Sequence, residues 1–559
     1  MNNPRIIVIG GLSAGPSAAA KARRVNENAE IHLFEKTSHI SYATCGIPYA
    51  LSGKIKTRDK LMVVGPELLE DRFGIKVHLN EPVISIDTDE QKVFTDQGVY
   101  EYDKLVYATG GTAVVPPIEN LDQYDSWAHA KTIEDFDRIM KRGVIDRAEH
   151  VTVVGAGLIG LETAENLIHK GKKVTVIEFG DQVLGNWDKK FGIMSASILK
   201  ENGIDLKTKT FVKAIDPVTQ ELILNTGERM FTDYMLIGIS IRPYTAMLTS
   251  KGAEHQPNGA LIVNEKMETS IPNVYAAGDC ASIKDRITGV NSWFPMGTHS
   301  NKGGRAAGAN AAGGNETFKG AYSTAIMKLF DYTIARTGLG CKAMNKAGIK
   351  YKTSCNITGT TPGFYPDQKD LMMETHYDPE TGKILGCEII GEHGVDKRID
   401  VMSTAIYAGL TIYDLPNLDL AYAPPYSPAK DPVVVAGFVA QNSLHSEYTE
   451  VSVLEADEYF EKASEDEYVL IDTRTPSEQH QKGVIRGAIN IPLHDLRDRM
   501  DELDTDKKIY IHCAKGIRGY LAALILTHNG FKNVFHIAGG FTAWEKIIGK
   551  IEQLEMVAE

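Results

Sequence analysis

Short apolar runs that end in glycine alternate with amphipathic stretches along the first third of the chain. Ile6 to Ile9 is four consecutive aliphatic residues and predicts a buried strand; Gly10 to Gly15 follows as a turn, Ser17 to Val25 as a helix, and Glu30 to Phe34 as a second strand that stops at Glu35. The pattern returns about 145 residues later, with Val151 to Val154 as strand, Gly155-Ala156-Gly157-Leu158-Ile159-Gly160 as turn, a helix through Leu167, and Val174 to Ile177 closing on Glu178. Each is a βαβ unit whose helix start offers free N–H groups to a pyrophosphate and whose second strand ends in an acid placed for ribose hydroxyls. The first turn departs from the usual glycine spacing, because Leu12 stands where a second glycine is expected. Glu178 would repel a 2′-phosphate, so the second site predicts NADH before NADPH, with Lys172 and Lys173 softening that preference.

Two more short apolar runs end in small residues: Leu105 to Tyr107 before Ala108-Thr109-Gly110, and Val274 to Ala276 before Ala277-Gly278-Asp279. Together with the two glycine turns, in this order, they resemble the signatures of flavoproteins that bind two dinucleotides. That resemblance implies FAD on Gly10, Gly11, Leu12, Ser13, Ala14, Gly15, Glu35, Lys36, Thr109, Gly110, Gly278 and Asp279, with Asp279 on the flavin's ribityl chain. It implies NADH on Gly155, Gly157, Leu158, Ile159, Gly160 and Glu178.

Bulk properties narrow the class. A chain of 559 residues predicts about three or four domains. A net charge of −13 argues against non-specific binding to nucleic acid or anionic membranes, so an anionic ligand needs a local basic pocket. The six cysteines, at 45, 280, 341, 355, 387 and 513, have no short regular spacing and predict neither a disulfide framework nor a metal site. With no signal-peptide pattern at Pro4 to Gly10 and no apolar run of about 18 residues, the expectation is a cytoplasmic chain without a membrane span.

Two cysteines sit in reactive settings. Ser41-Tyr42-Ala43-Thr44-Cys45-Gly46-Ile47-Pro48-Tyr49 is similar to the SYANCGLPY motif of coenzyme A disulfide reductases, with Thr44 in place of the asparagine and Ile47 in place of the leucine. Glutathione-reductase-like relatives carry a second cysteine five positions on, where this chain has Ala50. The resemblance therefore narrows to the single-cysteine branch of the pyridine nucleotide-disulfide oxidoreductases, whose catalytic thiol works through a mixed disulfide, a persulfide or a sulfenic acid. Peroxide- and oxygen-reducing members carry a histidine in the first glycine turn, at the place of Ser13. The resemblance extends through a dimerisation segment, where tyrosines of relatives reach the partner subunit's cysteine; Tyr365, Tyr422 and Tyr426 are the candidates. Coenzyme A as ligand would call on Ser41 and Thr44 near the thiol and on cations such as Arg23 and Lys76.

Near residues 443–452 the pattern turns polar and predicts a linker. Beyond it, Tyr468 to Arg474, Gly483 to Pro492 and the strand Lys508 to His512 resemble the rhodanese fold, and Cys513 falls at its catalytic position. The loop Cys513-Ala514-Lys515-Gly516-Ile517-Arg518 predicts an anion nest that stabilises a thiolate and then a persulfide, with Lys515 and Arg518 attracting an anionic donor. It is one residue shorter than the related C-x5-R phosphatase loop. Asp472, Arg474 and His512 are expected to support the fold.

The expected architecture is α/β: an FAD domain from 1–120 and 245–321, an NAD(H) domain at 121–244, an α+β dimerisation domain at 322–442, and a rhodanese domain at 453–559. The expected activity is NAD(P)H-dependent reduction of a coenzyme A persulfide or polysulfide in a homodimer. Coenzyme A disulfide reduction, NADH oxidation and a non-turning-over redox sensor stay open as alternatives.

Overall fold

The computed structural model describes residues 3–554 apart from Arg142 and Glu465, so the extreme ends of the expected first and last domains lie outside the described residues. The chain divides into two compact units, Met1–Gly185 with Leu199–Ser323 and Asn186–Ile198 with Thr324–Glu559.

The first unit is built on two parallel five-stranded sheets. In one, Arg5–Ile9 is central, flanked by Glu30–Phe34 and Lys76–His78 on one side and by Lys104–Tyr107 and Val274–Ala276 on the other. In the other, His150–Val154 lies between Lys173–Ile177 with Asp205–Lys207 and Tyr234–Ile237 with Trp127–His129. Strands covered on both faces are nearly continuous apolar runs, and Ile6, Ile7, Val8, Val151 and Val153 are all buried, with Thr152 the polar exception on its strand. Both glycine turns leave the carboxyl end of a central strand where the strand order reverses, the usual place for a nucleotide.

The first turn's helix, Ala14–Val25, packs backbone to backbone on Gly297–Ala311. A Cβ on Gly304 would lie 2.3 Å from the Ala14 carbonyl oxygen, and one on Gly308 2.0 Å from that of Ala18. Those two glycines fix the approach of the helices.

The second unit holds an antiparallel sheet ordered Ala325–Leu329, Tyr332–Gly338, Ile384–Gly391, Asp370–Tyr377, Lys352–Gly359, and a parallel sheet ordered Thr449–Val451, Val534–Ile537, Lys508–His512, Tyr468–Asp472, Ala488–Asn490. Two boundaries differ from expectation. Residues 443–452 are not an extended linker: helix Pro432–His445 runs into them, Thr449–Val451 is an edge strand of the parallel sheet, and Ser452 opens the next helix through a capping box with Glu455. Polarity there reflects an edge strand and a helix cap. Residues 186–198, expected in the NAD(H) domain, group with the antiparallel sheet, where their polar groups meet partners: the Asn186 carbonyl accepts from Arg336, Asp188 faces His376, and Lys190 pairs with Glu374.

Candidate active site

Cys45 sits in a single 3-10 turn, Thr44–Gly46, that leads into the helix Ile47–Leu51. Its thiol is exposed. The preceding Ser41 has φ of 47°, a left-handed conformation that costs a non-glycine residue on the order of 1 kcal/mol. It is held there because its N–H donates to the Gly11 carbonyl at 2.8 Å and its own carbonyl accepts from Val63 at 2.8 Å. The cysteine loop is thus clamped to the first glycine turn. On its other side, a Cβ on Gly46 would meet Leu61 at 2.7 Å, so the residue after Cys45 has to be small.

The helix after Cys45 packs on Leu158–His169, the helix that begins at the second glycine turn, and Ser52 donates to Asn166 Oδ1 at 2.8 Å. Tyr49 bonds Glu162 on that helix; burial, then the nearby Glu162 and Glu165 carboxylates, push its phenol up to about 12. Glu162 is pushed up to about 7 by burial and by Glu165, with the Tyr49 hydroxyl acting in the opposite sense. This carboxyl holds a proton near neutral pH one side chain away from the cysteine helix. Neither Tyr49 nor Glu162 was anticipated from sequence; the signal available was that Glu162 lies two residues past the last glycine of the second turn, on the face of the helix that meets Cys45's segment.

The glycine turns fit dinucleotides. Gly10 has φ of 107° and a Cβ there would lie 2.2 Å from the Ala108 oxygen; a Cβ on Gly15 would lie 1.8 Å from the Gly10 oxygen. In the second turn Gly155 and Gly160 are constrained the same way, whereas a Cβ on Gly157 would meet nothing. The fold therefore tolerates a side chain at that place, and Leu12 in the first turn costs only room on the ligand side. Neither helix has an acid in its first turn, so nothing there repels a phosphate.

Glu35 accepts from Gly11 N–H at 2.8 Å and Thr37 N–H at 3.0 Å, and Glu178 from Ala156 and Gly180 N–H at 2.7 Å each. Both acids stand where the sequence places them, holding the turn they serve. Lys36 lies over the Tyr244 ring, and Thr109 donates to the Tyr244 carbonyl at 2.6 Å next to Gly110, whose φ is 67°. Gly278, with φ of 86°, approaches Ala14, and Asp279 follows it, its carboxyl raised by burial with Lys131 opposing. Lys131 is itself lowered by burial and donates to the Gly111 carbonyl, a buried cation beside the expected flavin site that sequence reasoning missed.

Two expected coenzyme contacts are otherwise engaged. Arg23 donates to the carbonyls of Phe73, Glu27 and Gly74, closing the end of helix Pro66–Phe73, and Lys76 pairs with Glu30.

In the second unit the tyrosine-bearing segments are held by one buried arginine. Arg398, 1 % exposed, pairs with Asp431 and donates to the Thr360 carbonyl and to Ser427 Oγ, so it anchors the loops that carry Tyr365 and Tyr422–Tyr426. Tyr422 and Tyr426 are exposed, as is Phe364.

Cys513 ends the strand Lys508–His512 and is buried. Gly516 N–H donates to its Sγ at 3.1 Å, with Gly516 at φ of 129° to bring it there. Ala514 and Ile517 complete the loop, and Ile517 is exposed. The two cations are not free as expected. Arg518 makes a bidentate pair with Glu478 at 2.7 and 2.6 Å while also reaching Cys513, and Lys515 pairs with Asp370 at 2.6 Å. Asp472 and Arg474 form a buried pair, with Arg474 stacked 3.8 Å over Phe541, and buried His512 is lowered by burial. All three support the fold.

The family description Pyridine nucleotide-disulphide oxidoreductase matches residues 4–303, its dimerisation domain 324–432, and Rhodanese-like domain 455–547. A Pyrococcus abyssi protein, NAD(P)H sulfur oxidoreductase (CoA-dependent), is 36 % identical over 435 residues, 77 % of this chain and 96 % of that one. This chain belongs to the pyridine nucleotide-disulphide oxidoreductases. It is an enzyme of that family, which uses FAD and NAD(P)H. Two solved oxidoreductases of the same layout are similar along nearly the whole length: reduced Bacillus anthracis CoADR-RHD, with a TM-score of 0.94, 34 % identity and 99 % of each chain covered, and a NAD-dependent persulfide reductase from A. fulgidus, with a TM-score of 0.89, 32 % identity, 97 % of this chain and 100 % of that one. Among the described residues no helix is long and apolar enough to cross a membrane.

Proposed function

We propose that this oxidoreductase reduces coenzyme A persulfide or polysulfide to thiol and sulfide with NADH, accepting NADPH less well, and that its rhodanese domain carries sulfane sulfur through Cys513. The observation that carries this reading is that Cys45 is exposed while Cys280, the other cysteine of its unit, is buried and pushed up to about 11 by that burial. Cys45 has no local thiol to form a disulfide with, so its oxidised form is a mixed disulfide, a persulfide or a sulfenic acid, of which a sulfur substrate supplies the first two.

FAD and NAD(P)H, when bound, supply two electrons. The Cys45 thiolate attacks the outer sulfur of R–S–SH; the S–S bond breaks, R–S⁻ leaves and takes the proton, and Cys45–S–S⁻ remains. Two electrons and one proton then return Cys45–S⁻ and release HS⁻. Glu162, half protonated near pH 7, holds a proton on the helix behind Cys45, and Tyr49 orients that carboxyl. In a cytoplasmic homodimer the exposed Tyr422 and Tyr426, steadied by Arg398, are candidates to serve the partner's cysteine, with Tyr365 beside them. Ser41 and Thr44 remain the coenzyme contacts we favour; Arg23 and Lys76 do not.

The test is anaerobic NADH oxidation with coenzyme A persulfide, coenzyme A disulfide and polysulfide as separate acceptors, in wild type, Cys45→Ser and Cys513→Ser. Sulfide release that disappears in Cys45→Ser is expected. Turnover of the disulfide alone, or of oxygen with no sulfur acceptor, would overturn the reading.

A further inference from the structure

A second cysteine–histidine–carboxylate constellation lies in the second unit, built from three separate segments. Cys341 begins the helix Cys341–Ala347, His376 is on the strand Asp370–Tyr377, and Asp188 comes from the segment 186–198. Cys341 Sγ lies 3.9 Å from His376 Nδ1, and His376 Nε2 lies 3.3 Å from Asp188 Oδ2. The backbone N–H of Cys341 donates to the other Asp188 oxygen at 2.9 Å, which ties the ends of the array together. His376 is fully buried and Asp188 nearly so, and neither His376 Nε2 nor Asp188 Oδ2 has a well-aligned hydrogen-bond partner. Cys341 is partly open to solvent.

The order of atoms matters. The sulfur and the carboxylate engage opposite edges of one imidazole; one donor atom from each of the three residues also lies within 4.8 Å of the others, close enough that the test below includes zinc. An in-line array of this kind lets the carboxylate hold the ring as imidazolium while the other nitrogen faces a thiolate. Thr353 Oγ1, 2.9 Å from Nδ1, fixes the ring plane. Burial opposes a charge on His376, but Asp188 and Cys341 outweigh it and raise the ring to about 10; Asp188 is correspondingly lowered despite its burial. The other titratable groups facing the cluster are Glu388, raised to about 7 by burial and by Asp188 with Arg336 opposing, Tyr351, which bonds Cys341, and the Lys190–Glu374 pair.

We propose that Cys341, His376 and Asp188 form a second thiolate site that accepts sulfane sulfur from small persulfides or polysulfides. The step is Cys341–S⁻ + R–S–SH → Cys341–S–S⁻ + R–SH: the outer S–S bond breaks, a new S–S bond forms on Cys341, and the leaving thiolate takes the proton, with no net oxidation. Partial enclosure restricts the donor to a small molecule. The choice of sulfane sulfur as electrophile rests on the function proposed above; the reactive thiolate does not.

The experiment uses the full-length Cys45→Ser/Cys513→Ser protein. Its Cys341 peptide is followed by mass spectrometry after iodoacetamide, from pH 6.5 to 8.5, and separately after inorganic polysulfide. An ordinary thiol loses about tenfold in alkylation rate per pH unit below its pKa. Cys341 is expected to lose less than about threefold over the whole range, to regain the steep dependence in His376→Asn, and to gain the mass of one sulfur atom from polysulfide. Should His376→Asn not fold, the thiolate absorbance difference between this protein and its Cys341→Ser derivative at pH 6.5 reads the same property, and its absence overturns the proposal. A steep dependence already present before His376 is changed also overturns it. So does stoichiometric zinc that blocks alkylation until chelated, which would make the cluster a metal site. Alkylation as expected without sulfur uptake would overturn the electrophile while leaving the thiolate in place. Failure of Cys45 to release sulfide touches none of these readouts.

Discussion

Replacing Glu162 by glutamine removes the one carboxyl beside the Cys45 helix that is held near neutrality. Burial and Glu165 lift it from 4.5 to about 7, which corresponds to about 3 kcal/mol against the ionised form; the part of the side chain still open to solvent reduces this to about 2 kcal/mol. Below about pH 4.5 the carboxyl is neutral in folded and unfolded chain alike, and glutamine is nearly isosteric, so wild type and Glu162→Gln should unfold at the same temperature. As pH rises the unfolded chain ionises first and draws the equilibrium toward itself; the wild-type penalty grows to about pH 7 and is constant above it. The variant should therefore match wild type at about pH 3.5, a unit below the unfolded value, and exceed it at pH 8. Its kcat/KM for polysulfide at saturating NADH should lack the inflection near pH 7 that the wild type shows. The assay is a pair of thermal melts at constant ionic strength together with an anaerobic pH–rate profile. A stability gain of equal size at both pH values, or an inflection that survives the substitution, would refute both the assignment of the raised carboxyl and its role as proton source.

Gly160→Ala would place a methyl 2.0 Å from the Gly155 carbonyl oxygen, a backbone atom that cannot rotate away; KM for NADH should rise by about tenfold or more while flavin content, measured by absorbance, stays at the wild-type level. Arg474→Met leaves the fully buried Asp472 without its cation, which should cost the C-terminal module about 3–5 kcal/mol. Loading of Cys513 with sulfur from polysulfide, read by mass spectrometry, should then be lost at a temperature where NADH–polysulfide turnover persists.

The two strand–turn–helix units were legible because they are written in local signals: apolar runs, glycines whose Cβ would strike backbone, and an acid at a fixed offset. Glu35, Glu178, Gly10, Gly15 and Gly160 all stand where those signals put them. What stayed hidden depends on contacts between distant segments. Nothing near Lys131 in sequence announces Gly111 and Asp279 as its neighbours, and Glu162 reads as an ordinary helix acid until Tyr49 is packed against it. Residues 186–198 read as part of the nucleotide domain because composition carries no record of Asp188 finding His376. The partners of Arg23 and Lys76 were hidden for the same reason, since a basic residue announces its charge and not the group it will meet.

That last point bears on how the Cys513 loop selects its ligand. Loop length alone distinguishes sulfur from phosphate only loosely, but the charges sharpen it. Glu478 neutralises Arg518 through two hydrogen bonds, and Asp370 neutralises Lys515, so neither loop cation brings an unpaired positive charge to the loop. A phosphate dianion entering here would meet a guanidinium already committed to a carboxylate and would have to be desolvated without full compensation. A persulfide adds only one negative charge, already attached to the buried sulfur, where the Gly516 N–H and the face of Arg518 that reaches Cys513 can solvate it by hydrogen bonding without an unpaired cation. Breaking the pair tests this: Glu478→Gln should free Arg518, strengthen inhibition by phosphate, and leave the sulfur-loaded state of Cys513 no more stable than before. Unchanged phosphate inhibition in that variant would return the explanation to loop length.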